Sequence, residues 1–390
     1  MYNIRKLNEI SPIVTKYLPE DQFAITDNAT APDAILVRSA DMQSMELPEN
    51  LLAVARAGAG VNNINIPACS AQGVVVFNTP GANANAVKEL VIAGLLMSGR
   101  RIFSGIQWAQ SLRGQGAAVP AMVEKGKGQF VGPELAGKTL GIIGLGAIGV
   151  LVANAAVGMG MQVVGYDPFL TVESALGLTR AVKRMGSLDE LLAVSDYVTV
   201  HVPFVEKTRG YINAENIAKM KEGVVLLNFS RAELVDTASV FAALDNHHVR
   251  TYVTDFPTDE LLSNPGVLCI PHLGASTPES EENCAEMAAR QLRNYIRTGS
   301  IRNSVNYPEC DLSAGFTGRI CVLHDNVSGV LGQITAAITE RGLNISNMVN
   351  TSRGELAYTV IDIDTDLTQD LVDRIRAIST VHRCRLLMAE

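Results

Sequence analysis

The sequence predicts an α/β protein with two doubly wound parallel-sheet domains followed by a small βαββαβ module. Three observations carry this. Between 139 and 271 short apolar runs alternate with helical stretches, a rhythm of βα units that implies a parallel sheet. The first of these runs leads straight into Gly144-Leu145-Gly146-Ala147-Ile148-Gly149, a glycine pattern set between a strand and a helix. Past 318 the pattern restarts as strand, helix, strand, strand, helix, strand, a unit of about 70 residues. At 390 residues the chain exceeds the length at which one core stops growing, so two or three domains are expected.

Taken in order, residues 1–85 form a first α/β unit in which 34–37, 51–54 and 74–77 read as buried parallel strands. Near Ala86 a helix begins with Val87, Leu90, Val91, Gly94 and Leu95 on one face, and a Gly-rich stretch, 114–137, follows as a long surface arm. Strands are expected at 139–144, 162–166, 197–200, 224–228, 250–254 and 267–270, with a helix over 189–196. The uncharged stretch 140–166 is not a membrane span, because seven glycines from Gly141 to Gly165 interrupt it. Pro278 opens a long helix, with Glu279, Glu281 and Glu282 in its first turn, running to about Arg297 and back to the first domain. The domains expected are therefore 1–85 with 278–310, 86–277, and 317–390. After turn residues 310–318, strands at 319–323, 345–349, 357–363 and 381–387 and helices at 330–341 and 371–378 make a module with one sheet face open to a partner.

Composition excludes several classes. The chain is 47% hydrophobic, as in a globular protein, and its start, with Arg5, Lys6 and Glu9, is not a secretory signal. Six cysteines without CxxC spacing argue against a zinc site or a disulfide framework and suit a cytoplasmic location. The adjacent His247 and His248 diverge and lack further ligands, so no metal is expected. A net charge of -8 disfavours nucleic acid, and an anionic substrate would need local arginines.

The glycine pattern points to a Rossmann-like dinucleotide site. Gly144 permits the tight turn, Gly146 leaves room for a pyrophosphate, and Gly149 lets the helix pack on the strand. The helix N-terminus then receives the phosphates. Asp167, at the end of the next strand, suits the adenosine ribose hydroxyls and repels a 2′-phosphate, which favours NAD over NADP. Three later segments lie where loops leave the carboxyl ends of strands: Asn228-Phe229-Ser230-Arg231, Thr254-Asp255 through Asp259-Glu260, and Pro271-His272-Leu273-Gly274. A guanidinium can hold a carboxylate and a carbonyl oxygen in a fork, an imidazole can accept a hydroxyl proton, and an acid beside it can orient the ring. These are the parts needed to oxidise a 2-hydroxy acid.

In order and wording these motifs, together with His201-Val202-Pro203 and Thr208, resemble the D-isomer-specific 2-hydroxyacid dehydrogenases over nearly the whole chain, most closely the members that oxidise D-3-phosphoglycerate. The resemblance implies Arg231, Glu260 and His272 as the catalytic set. It implies cofactor contacts from Gly144, Gly146, Ala147, Ile148, Gly149, Asp167, His201, Pro203, Thr208, Ser230, Asp255, His272 and Gly274, with Asp255 on the nicotinamide amide. The acid departs from the family pattern: spacing from Arg231 favours Glu260, whereas aligning Phe256-Pro257-Thr258 favours Asp259. Substrate contacts are implied for Arg38, Ser39, Arg56, Ala59, Gly60, Val61, Asn83 and Arg231. Gly58, Ala59, Gly60 and Val61 can turn backbone N–H groups toward a carboxylate.

The last segment is similar to an ACT domain in His324-Asp325-Asn326 and Gly342-Leu343-Asn344-Ile345, although Ser328 replaces the usual proline. That resemblance implies L-serine as a feedback effector held by His324, Asn326 and Asn344 between two such modules, and hence a homo-oligomer, dimer or tetramer, to which the helix near Ala86 and Trp108 would contribute. Oxidation of D-3-phosphoglycerate to 3-phosphohydroxypyruvate, the first step toward L-serine, is the function implied. The same chemistry on glycerate or lactate, or a non-catalytic NAD-sensing corepressor, stays open.

Overall fold

The structure is a computed structural model that describes residues 1–312, 315–364 and 369–388. It divides into two compact units, Met1–Asn83 with Pro278–Glu390, and Ala84–Thr277. The first unit starts with β1 (Tyr2–Leu7), β2 (Phe23–Thr26), β3 (Ala34–Val37), β4 (Ala53–Arg56), α1 (Ile66–Ala71) and β5 (Val75–Phe77). All strands pair in parallel in the order β2-β1-β3-β4-β5. β3 is buried at all four positions, as its unbroken Ala-Ile-Leu-Val run requires. The first two strands carry no such signal: β1 buries only Ile4, since Arg5 and Lys6 interrupt its apolar pattern.

The second unit opens with helices α2 (Ala84–Gly99), α3 (Ile102–Ser111) and α4 (Val119–Gly126). The stretch 114–137, expected to be a long surface arm, contains a helix, with Pro120 at its start. Trp108 packs at a tilt against Phe130, ring centres 5.4 Å apart, and lies against Gly126, where a Cβ would meet the indole at 2.3 Å. Beyond these come β6 (Thr139–Ile143), α5 (Ala147–Gly158), β7 (Gln162–Tyr166), α6 (Val172–Gly177), β8 (Lys183–Arg184), α7 (Leu188–Val194), β9 (Tyr197–Val200), α8 (Ala214–Ala218), β10 (Val224–Asn228), α9 (Thr237–Asp245), β11 (Val249–Thr254), α10 (Asp259–Ser263) and β12 (Val267–Cys269). The strands form one parallel sheet in the order β12-β11-β10-β9-β6-β7-β8. Succession runs outward from β6 in one direction and from β9 in the other, so a crevice opens between the carboxyl ends of those two strands. The short β8 was not expected, because two charged residues give no strand pattern.

The chain returns to the first unit through α11 (Pro278–Thr298) and ends in β13 (Gly318–Asp325), α12 (Val330–Thr339), β14 (Ile345–Arg353), β15 (Leu356–Ile363), α13 (Gln369–Arg376) and β16 (Val381–Met388). Of the turn read over 310–318, residues 313 and 314 lie outside the described residues, as do 365–368, ahead of α13, and the last two residues of the expected module. The sheet β14-β15-β13-β16 is antiparallel. Ile320 and Val322 on one face pack under α12 and α13 with Ile334, Ile338, Leu371 and Ile375.

The other face is not open to a partner, contrary to the sequence-based expectation. Cys321, Leu323, Tyr358, Val360 and Leu387 join one core with Tyr295 and Ile296 of α11 and with Ile301. Polar bonds fix the contact: Tyr358 donates to the Gly299 carbonyl at 2.7 Å, Arg385 to that of Tyr295 at 2.8 Å, and Arg383 to those of Gly73, Gln72 and Glu49 at 2.9, 3.0 and 3.1 Å. Alternation alone could not foresee this, because an apolar strand face reads the same whether its cover comes from another chain or from its own. All six cysteines are free, and no helix among the described residues is long and apolar enough to cross a membrane.

Candidate active site

The crevice of the second unit is built by the turn after β6. Gly144 has φ +93°, and a Cβ there would lie 2.6 Å from the His201 carbonyl oxygen, so only glycine passes under the loop that leaves β9. A Cβ on Gly149 would lie 2.0 Å from the Gly144 oxygen, which holds α5 hard against the turn. A Cβ on Gly146 would meet nothing within 4 Å. The α5 N-terminus has no side-chain cap, so its leading N–H groups face that gap. Asp167 is aimed by two backbone donors, Leu145 N–H and Phe169 N–H, each at 2.8 Å. An open glycine gap, an uncapped helix end and a fixed acid at the next strand suit a diphosphate with an adenosine ribose. NAD fits these residues.

Loops on the β9 side complete the wall. Ser230 donates to the Val200 carbonyl at 2.7 Å, tying the β10 and β9 loops together. Thr208 turns its hydroxyl into its own loop, within 2.9 Å of the Pro203 and Val205 carbonyl oxygens. His201 Nε2 bonds Thr199 Oγ1 at 3.0 Å, and its Nδ1 is buried with no hydrogen-bond partner among the described residues. Burial pushes the His201 pKa down to about 4.

An unfolded histidine titrates near 6.5, so between that pH and about 4 the unfolded chain takes up a proton that the folded state refuses. Stability is then full above pH 6.5 and falls as the pH drops toward 4, by up to about 3 kcal/mol. Urea midpoints should fall between pH 7 and 4.5 more steeply for the wild type than for His201→Gln. Parallel slopes in the two proteins refute this account.

Arg231, Asp255 and His272 stand at the carboxyl ends of β10 and β11 and in the segment after β12. Asp255 is 1% exposed and its Oδ1 has no hydrogen-bond partner among the described residues. Burial raises its pKa, and the nearby His272 and Arg231 side chains pull it back, so both lie within electrostatic reach of one buried carboxyl group. A Cβ on Gly274 would come within 3.6 Å of Asp255 Oδ2. His272 is exposed, and its ring meets the Phe256 ring edge-on at 5.1 Å. Arg231 is exposed too; its carbonyl accepts from the buried Asn228 amide at 2.8 Å, and its Nη1 donates to the Ser230 carbonyl at 2.6 Å.

Glu260 and Asp259 are the first residues of α10, which Thr258 caps by accepting from Leu261 N–H at 3.2 Å. Both acids are exposed, and neither bonds His272 among the described residues. The histidine pair at 247–248 diverges: His247 takes φ +63° and His248 bonds the Ile217 carbonyl at 2.9 Å.

In the first unit, Arg38 and Ser39 follow β3 beside the end of β1, where strand succession again reverses. Asn8 Oδ1 accepts from Ser39 and Ala40 N–H at 3.2 and 2.7 Å. The Arg38 guanidinium pairs with Glu281 of α11 at 2.7 Å. Arg56 turns into its own loop, donating to the Arg38 carbonyl at 2.9 Å and to that of Gly60, and stacks under Gly58. Asn78 donates to the Ala59 carbonyl at 2.6 Å. Gly60, Val61 and Asn83 are half-buried. Sequence reading gave no site role to Asn8 or Glu281, since nothing local to them signals a partner far along the chain.

In the C-terminal module His324 is 2% exposed, with both ring nitrogens engaged: Nδ1 to the Asp325 carbonyl at 2.8 Å and Nε2 to Thr359 Oγ1 at 2.7 Å. Burial lowers its pKa. Asn326 donates to the Gly354 carbonyl at 3.1 Å, and Asn344 is exposed.

Residues 92–274 match the family described as D-isomer specific 2-hydroxyacid dehydrogenase, NAD binding domain. The chain is 34% identical over 352 residues to D-3-phosphoglycerate dehydrogenase of Escherichia coli K12, covering 87% of this chain and 82% of the relative. It is 32% identical over 366 residues to D-3-phosphoglycerate dehydrogenase 1 of Saccharomyces cerevisiae, covering 87% and 74%. Among solved structures, the NAD+-bound 3-phosphoglycerate dehydrogenase of Entamoeba histolytica is similar with a TM-score of 0.61 at 26% identity, over 78% of this chain and 98% of that one.

Proposed function

The chain belongs to the D-isomer-specific 2-hydroxyacid dehydrogenases, NAD-dependent oxidoreductases, and from that premise we propose that it oxidises D-3-phosphoglycerate to 3-phosphohydroxypyruvate, committing carbon to L-serine. One observation carries the reading: within a single unit, an open glycine gap beside Asp167 lies at the same carboxyl edge of the sheet as the exposed Arg231 and His272 and the buried Asp255. When bound, NAD+ supplies the acceptor for the hydride from C2 of the substrate. Arg231 holds the C1 carboxylate and the C2 oxygen in its fork and stabilises negative charge as the carbonyl forms. His272 accepts the C2 hydroxyl proton. Glu260 is assigned as the acid that orients His272 once substrate is bound, because catalytic hydrogen bonds often tighten only in the complex. Asp255, His201, Pro203, Thr208, Ser230 and Gly274 line the cofactor side. The Gly58 to Val61 turn, with Ser39 and Asn83, receives the carboxylate end, and Arg38 the phosphate, while Arg56 braces that turn from within.

L-Serine is assigned to the C-terminal module as effector. Because both His324 ring nitrogens are bonded within the domain, the exposed Asn344, with the exposed Asn326 beside its bond to Gly354, is assigned to meet it. Two copies or more are proposed, through α2, α3 and α4, where Phe103 and Ile106 are 50% and 51% exposed. One assay tests the reading: NADH formation with D-3-phosphoglycerate should exceed that with D-glycerate or D-lactate, and millimolar L-serine should slow it. A faster rate on an uncharged 2-hydroxy acid overturns the substrate assignment. No turnover on any of them favours the corepressor reading.

A further inference from the structure

We propose that Glu281 is a built-in competitor for the substrate's anionic far end: its carboxylate occupies the Arg38 guanidinium until a phosphate monoester displaces it. The inference rests on the reading above that Arg38 receives that group. Arg38 is held at its main chain, where its carbonyl accepts from Arg56 Nε at 2.9 Å, while its guanidinium pairs with Glu281 at 2.7 Å. The two side chains are 39% and 42% exposed, so solvent and solutes reach the pair and the bond can exchange. Arg56 gives Nε to the Arg38 carbonyl and Nη1 to that of Gly60, so it ties the two loops together at the main chain, while the charge partner of Arg38 is the exchangeable Glu281.

Glu281 also has somewhere to go. It lies in the first turn of the 21-residue α11, where the positive end of the helix favours a carboxylate without Arg38. A phosphate dianion brings more charge and more acceptor oxygens to a guanidinium than one carboxylate does. The exchange therefore favours the phosphorylated substrate, but each binding event first breaks the internal pair. Glu281 thereby sets the Michaelis constant for a phosphorylated substrate higher than Arg38 alone would. A substrate with an uncharged far end leaves the pair intact and is indifferent to it.

Glu281→Gln removes the competitor, and Glu279→Gln, in the same turn and with no ion-pair partner among the described residues, makes the same change of charge without touching Arg38. Glu281→Gln should lower KM for D-3-phosphoglycerate by about two- to fivefold, the range for a half-exposed pair, with the gain in KM rather than kcat. The inhibition constant of inorganic sulfate should fall in parallel. KM for D-glycerate should not move, and Glu279→Gln should reproduce neither effect. An unchanged or raised KM in Glu281→Gln, or an equal drop in Glu279→Gln, overturns the proposal. Arg38→Ala separates the two readings: if it leaves KM for D-3-phosphoglycerate unchanged, the assignment of Arg38 fails. If it raises KM while Glu281→Gln does nothing, only the competition fails.

Discussion

His272→Ala is expected to lose kcat by roughly 10²- to 10⁴-fold, the usual share of a positioned general base, while NADH still binds and quenches or enhances fluorescence as in the wild type. The two readouts separate because the imidazole is assigned to the reacting hydroxyl, whereas the glycine turn and Asp167 proposed to seat the dinucleotide belong to β6 and β7. The ring is exposed and braced from one side by Phe256 at 5.1 Å, so removing it opens no cavity in the core and should leave the thermal midpoint unchanged. Turnover retained in His272→Ala excludes it as the proton acceptor. In the same series Glu260→Gln should change the acid limb of the kcat/KM profile more than Asp259→Asn does. The reverse order moves the orienting role to Asp259.

The second large effect divides two glycines of one motif. A Cβ added at Gly146 meets nothing within 4 Å, so Gly146→Ala should fold and melt as the wild type does. A pyrophosphate filling that gap meets the new methyl, and overpacking of about 1–3 kcal/mol weakens NADH binding by roughly 5- to 150-fold. At Gly149 a Cβ would lie 2.0 Å from the Gly144 oxygen, so Gly149→Ala should lower the thermal midpoint whether or not cofactor is present. NADH titrations and melting curves on the two variants decide it: undiminished affinity in Gly146→Ala means the diphosphate lies elsewhere.

Most of the second unit was legible because most of its strands are short, largely apolar runs rich in valine, isoleucine and leucine that alternate with helical stretches. β6, β7, β9, β10, β11 and β12 fall within a residue or so of their expected spans. β1 and β8 were not legible, since charged residues fill them and they become strands only by pairing with neighbours. α4 hid behind glycines, which weaken a helical signal without forbidding a helix in a packed context. At the site, the sequence named Arg231, His272 and Asp255 by their places after strands. It could not separate Asp259 from Glu260, which stand side by side at the start of one short helix.

By itself the sequence determined the family, the cofactor and the βα rhythm, because each depends on residues close together in the chain: a glycine at a positive φ, a helix end left uncapped, an acid one strand on. Tertiary structure alone decided that Arg56 supports its loop while Arg38 pairs with Glu281, that His324 is bonded on both nitrogens, and that the last sheet is covered by its own chain. Those facts join residues far apart in sequence. Which partner a charge or an apolar face finds depends on which surfaces folding brings together, and no local pattern encodes that.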